Sequence, residues 1–76
     1  MNKERRNLLI SADSLLIKAA DIIERALDEE EDSYDNLPES LQYSDKGEKM
    51  EAAIEKLEEV LSLLESAREC IEDASG

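Results

Sequence analysis

Chemistry in this chain would have to come from three places. They are the acidic run Asp28-Glu29-Glu30-Glu31-Asp32, with Asp35 just after it, the basic tip Lys3, Arg5 and Arg6, and the single cysteine, Cys70. The acidic run has the charge to draw divalent cations or to imitate the phosphates of nucleic acid, but it lacks the alternating ligands and the glycine of a calcium loop. A solvated helix end suits it better, and it stands ready as an acidic surface for a protein partner. The basic tip could gather around a small nucleotide-like anion if several copies met there. Cys70 has no cysteine to pair with and is expected to be a small buried apolar residue in a reducing compartment.

What is missing narrows the choice further. Histidine is absent, which removes the usual proton shuttle, the Ser-His and Cys-His nucleophile pairs and the Glu-x-x-His arrangement of di-iron bundles. The two glycines, Gly47 and Gly76, are too far apart for a phosphate loop. The expectation is a protein that is not an enzyme, with no catalytic residue, no metal site and no cofactor. At 76 residues there is room for one small structural unit and no second domain.

The elements that must carry these groups follow from punctuation and periodicity. Pro38 is the only proline, and it falls in a central segment between two long stretches without helix breakers. The first stretch repeats every seven residues: Leu8, Leu15 and Ile22 form one row, Leu9, Leu16 and Ile23 another, and Ala12, Ala19 and Ala26 a row of small residues between them. In the second, apolar residues keep a 3-4 spacing through Met50, Ala53, Leu57, Val60, Leu64, Ala67, Ile71 and Ala74, with Ile54, Leu61 and Leu63 widening the stripe. The fold class is therefore all-α: two long antiparallel helices forming a helical hairpin, over about residues 3–32 and 45–74. The connection 33–44 should contain a short helical segment after Pro38, with Tyr34, Leu37, Leu41 and Tyr43 plugging the closed end. Ser44 or Asp45 should cap the second helix.

Stripe width suggests that such a hairpin is not alone. On the first helix the apolar positions, leaving out Ile10 and Ile17, span roughly 160°, against about 100° for a surface helix with one neighbour. Chains this short usually need a disulfide, a metal or a second copy, and the first two are lacking. A homo-oligomer is expected, a two-fold dimer closing a four-helix bundle being the first choice, with Leu8, Leu9, Ala12, Leu15, Leu16, Ala19, Ile22, Ile23 and Ala26 of the first helix and Leu57, Leu61 and Leu64 of the second at the interface.

Charge points to the partner. Acids outnumber bases 21 to 9, a net charge of -12, and the basic residues are concentrated in the first third. Such a surface repels nucleic acid and anionic lipid, so neither is an expected direct partner, and steers toward a basic protein surface such as a nucleic-acid-binding groove. No apolar run is long enough for a membrane span or a secretory signal, and a cytoplasmic location is expected.

The central Asp35-Asn36-Leu37-Pro38-Glu39-Ser40-Leu41-Gln42, continuing through Gly47-Glu48-Lys49-Met50-Glu51 into an acidic heptad helix, resembles small acidic helical-hairpin proteins encoded by phages and prophages of Gram-positive bacteria. The resemblance supplies no catalytic residues. It implies a setting inside a host cell and a role in binding a host protein, with inhibition of an antiviral defence as the outcome. Two other roles follow from the same traits: sequestration of a nucleotide-like signal at Lys3, Arg5 and Arg6, and a scaffold function docked on a larger phage protein.

Overall fold

A computed structural model describes residues 1–76, and every regular element in it is helical. Helix α1 runs Lys3–Asp35, α2 is a short Glu39–Gln42 turn, and α3 runs Asp45–Ser75. Asn2 starts α1: its side-chain oxygen accepts from the Arg5 amide at 2.8 Å, satisfying one of the free donors of the first turn. The helix does not stop at the acidic run. It continues three residues past the expected end, through Tyr34 and Asp35, and the Asn36 amide then donates to the carbonyls of Asp32 and Tyr34. Glu is a good helix former, and no residue before Pro38 forces a break, so the unfavourable meeting of acids with the helix C-terminus is tolerated rather than relieved.

The corner between the long helices is built on backbone contacts. Pro38 sits immediately before α2, and its carbonyl accepts from the amides of Leu41 and Gln42. The Gln42 side-chain amide donates to the carbonyls of Tyr34 and Leu37, both at 3.3 Å, tying the end of α1 to the connection. Ser44 caps α3. Its hydroxyl donates to the Leu41 carbonyl and accepts from the Gly47 amide at 3.4 Å. Gly47, three residues after the cap, is the one residue buried outright. A Cβ there would lie 2.5 Å from the Gln42 carbonyl carbon and 2.7 Å from its Cα, and closer still to the carbonyl oxygen, so only glycine fits. Tyr34 and Leu37 are half-buried at this end, but Leu41 and Tyr43 point outward, Tyr43 79% exposed. The expected four-residue plug is thus corrected to Tyr34, Leu37 and Gln42, because the α2 turn aims its other apolar side chains at solvent.

Helices α1 and α3 lie alongside each other. Asp13 meets Arg68 near one end and Tyr34 meets Glu51 near the other, so the start of α1 lies beside the end of α3. The seam is a heptad ladder: Leu9, Leu16, Ala20, Ile23 and Leu27 of α1 face Met50, Ile54, Leu57, Leu61, Leu64 and Ile71 of α3, all half-buried. None is fully buried, since two helices enclose no interior. The molecule measures 58 × 15 × 12 Å, with a radius of gyration of 17.2 Å, where a compact domain of this length would have about 11 Å.

Candidate interaction surface

The two flanks of the seam differ in character. On one flank Arg68 reaches across to Asp13, Nε to Oδ1 at 2.8 Å and Nη2 to Oδ2 at 3.3 Å, a two-pronged pair on a largely open surface. The carboxylate raises the Arg68 pKa further by accepting hydrogen bonds from the charged guanidinium. Around this pair lies an open cleft of about 490 Å³ whose floor is Leu9, Ile10 and Ile71 and whose rim is Asp13, Glu65, Arg68, Glu69, Glu72 and Ser75. The Ser75 hydroxyl donates to the Ile71 carbonyl at 2.8 Å, a bond within its own helix. No group of carboxylates or thiol is arranged to hold a metal ion. The cleft offers binding surface lined by carboxylates, a guanidinium and a hydroxyl.

The other flank is apolar. At about 100° of turn per residue, Leu8, Leu15 and Ile22 stand roughly 140–180° around α1 from Asp13, while Leu63 and Cys70 stand roughly 140–160° around α3 from Arg68. Because Asp13 and Arg68 meet on the first flank, both sets lie on the opposite one. Leu8, Leu15, Ile22 and Leu63 are 67%, 65%, 63% and 62% exposed. Within roughly 60° of that row, α1 presents from Leu8 to Ala26 the residues Leu8, Ser11, Ala12, Leu15, Lys18, Ala19, Ile22 and Ala26, with Arg25 just outside, one heptad after Lys18. In the same arc α3 presents from Leu63 to Ala74 the residues Leu63, Ser66, Ala67, Cys70 and Ala74, with Val60 and Asp73 at its edges. On a chain that is 39% charged, the middle of this flank is apolar for about 27 Å, with Lys18, Arg25 and Asp73 along its edges.

The residues expected at an oligomer interface therefore divide into two sets. Leu9, Leu16, Ile23, Leu57, Leu61 and Leu64 are half-buried between α1 and α3, whereas Leu8, Leu15, Ile22 and Ala26 are exposed, and Ala12 and Ala19 lie at the boundary. Ile10 and Ile17, 66% and 40% exposed, lie on the Asp13 flank or near it. Cys70 is exposed, which corrects the expectation of a buried thiol: it sits one heptad after Leu63, outside the seam rows. The acids Asp28, Glu29 and Asp32 are exposed and Glu30 and Glu31 half-buried, with no basic partner anywhere along the run. Lys3, Arg5 and Arg6 are also exposed and without ion pairs. Their three positions are spread around α1 and do not converge on one pocket. Among the lysines only Lys56 pairs, with Glu59 at 3.1 Å, on open surface where such a bridge contributes little.

Sequence reasoning missed the cross-helix links. The Tyr34 hydroxyl donates to Glu51 Oε1 at 2.6 Å. This bond to a carboxylate, helped by partial desolvation and by the negative charge of Glu51 itself, pushes the Tyr34 pKa up to about 12. A raised tyrosine pKa stabilises the fold fully below the ordinary value of 10.0, and that contribution fades as pH climbs from there to about 12. In a Tyr43→Phe background, where Tyr34 is the only tyrosine, ultraviolet titration of the phenol should give a midpoint near 12. A midpoint at the ordinary value would mean that the Glu51 bond does not persist in solution. The signal for Asp13 was its position: a charged residue inside a row of apolar ones, between Leu9 and Leu16.

No protein-family model matches the chain, and no curated protein and no solved structure matches it significantly. No helix is long and apolar enough to cross a membrane.

Proposed function

We propose that this protein is a non-enzymatic acidic helical hairpin that works as a homo-oligomer, a four-helix-bundle dimer in the simplest case, and acts by binding a basic host protein. One observation carries the oligomeric part. The chain exposes 5886 Å², whereas a compact monomer of 8.6 kDa exposes about 4,700 Å². The surplus of about 1,200 Å² exceeds the ~800 Å² that each partner commits to a standard stable interface. The flank of Leu8, Leu15, Ile22 and Leu63 is where exposed apolar surface is gathered.

The binding part is supported by the field. A dimer carries twice the net charge of -12, displayed on the outer faces of the helices and around the closed end. Such a field accelerates encounter with a positively charged protein and weakens with salt. The central Asn36-Leu37-Pro38-Glu39 segment, with its likeness to phage proteins, favours a host target, and interference with an antiviral defence is the role we assign to it. Sedimentation equilibrium tests the first part: a mass of two chains or more is expected, and a single well-folded chain at micromolar concentration would refute it. Capture of host protein at low salt, released as salt rises, is expected for the second; capture indifferent to salt would refute electrostatic docking.

A further inference from the structure

The exposed row of Leu8, Leu15, Ile22 and Leu63 is covered when a second copy is placed on the first. Two hairpins can meet face to face about a two-fold axis in only two simple ways. An axis parallel to the helices sets α1 of one copy over α3 of the other, parallel to the first copy's own α1, and leaves the two acidic runs side by side at one end. An axis across the helices stacks α1 on α1 and α3 on α3 in antiparallel fashion, and sends the two acidic runs to opposite ends. Like charges at close range make the first costly for a chain this acidic.

The antiparallel form has a register that satisfies size. If residues whose numbers add up to about 34 lie opposite each other along α1, Leu8 faces the second copy's Ala26, Ala12 faces its Ile22 and Leu15 faces its Ala19. Every large side chain on the row then meets a small one, the condition for close interdigitated packing. In the same register Arg5 lies level with the second copy's Glu29, Arg6 with its Asp28 and Lys3 with its Glu31. Glu4 falls level with Glu30; of these pairs only Arg5–Glu29 and the like-charged Glu4–Glu30 lie on the flank's side of α1, while Lys3, Arg6, Asp28 and Glu31 stand roughly 120–180° away from it. On α3 the same axis brings Leu63 to the level of the second copy's Ala67 and Cys70, again large against small, because Asp13 and Arg68 fix which part of α3 lies beside the middle of α1.

We infer that the exposed apolar row of Leu8, Leu15, Ile22 and Leu63 is the seat of a second copy of this chain, bound antiparallel, with the two acidic runs at opposite ends. This rests on the proposed self-association and adds to it a face, a direction and a register. It also covers Cys70, whose exposure belongs to the isolated hairpin.

Two measurements test the inference apart from self-association. In a Cys70→Ser background, spin labels are attached at Asn7→Cys or at Ser14→Cys, which lie one heptad apart on the same side of α1 and away from the flank. The antiparallel register predicts axial label separations of about 30 Å and about 9 Å, a difference of roughly 20 Å between the variants. A parallel dimer gives equal distances for both and would overturn the proposal. For the face, Leu15→Asp is expected to reduce the mass in light scattering to one chain, while Ile17→Asp on the other side leaves the wild-type mass. The reverse pattern, or a dimer that survives Leu15→Asp, would overturn the assignment of this flank. A wild-type chain that is already monomeric would instead refute the underlying self-association, so the two failures are told apart.

Discussion

Replacing Gly47 by alanine should destabilise the protein by about 2 kcal/mol and lower its melting point by about 10 °C, although alanine is the better helix former by about 1 kcal/mol. The added methyl meets the backbone of Gln42, its carbonyl carbon 2.5 Å and its Cα 2.7 Å away, and backbone cannot swing aside as a side-chain tip can. Forcing a group into such a space costs about 1–3 kcal/mol and at times more, and here it outweighs the propensity gain. Gly47→Val should be worse, since a branched side chain meets the same wall and suits a helix less. Gly76→Ala is the control: its added carbon would approach nothing closer than the Glu72 carbonyl at 3.4 Å, and little change is expected. Thermal unfolding followed by circular dichroism makes the comparison. A Gly47→Ala protein as stable as the wild type would mean that the α2 corner is not packed against α3 as described.

The melting point of the wild type should itself depend on protein concentration. When folding and assembly are coupled, dilution favours unfolded chains by mass action, at about 1.4 kcal/mol per tenfold change. For a dimer of two 76-residue chains, the unfolding entropy per residue typical of globular proteins converts this to about 4 °C per tenfold dilution. The structural reason is that no apolar side chain is fully buried in the single chain. Seam residues such as Leu16, Ile23 and Leu57 remain half-buried, so each hairpin realises only part of the stabilisation its apolar groups can give. Melting curves spanning a hundredfold range of concentration would show the shift. Superimposable curves would indicate that one chain is stable without a partner and would remove the basis for the bundle.

Periodicity made the long helices readable. Leu9, Leu16 and Ile23 recur every seven residues, and Met50, Leu57, Leu64 and Ile71 do the same, so the helical elements and their facing rows followed from local pattern alone. Width of the stripe was legible too, but which row would face the other helix of the same chain was not. Leu8 and Leu9 are equally apolar neighbours, and only the relative rotation of α1 and α3 decides that Leu9 turns into the seam while Leu8 stays in solvent. Cys70 was misjudged for the same reason, since its burial depends on that rotation. The corner was the least legible part. Nothing in Leu41 or Tyr43 distinguishes an apolar group that packs from one that a four-residue helical turn aims outward, and the closeness of Gly47 to Gln42 is a contact between backbones that carries no side-chain pattern. The cross-helix bonds of Asp13 with Arg68 and of Tyr34 with Glu51 join residues far apart in sequence, where no local rule reaches.

Repeating ridges bring an ambiguity with them: a helix that looks alike every seven residues can slide along its neighbour by one repeat, about 10 Å, and still match leucine with leucine. The fit of Gly47 against Gln42, with Ser44 and Tyr34 clamping either side, denies the two strokes of this rod that freedom. It works as a mechanical stop, choosing a single alignment among several of nearly equal energy. Loosening it would yield slipped forms in which the bald flank loses its continuity, even though every helix in the molecule stayed intact.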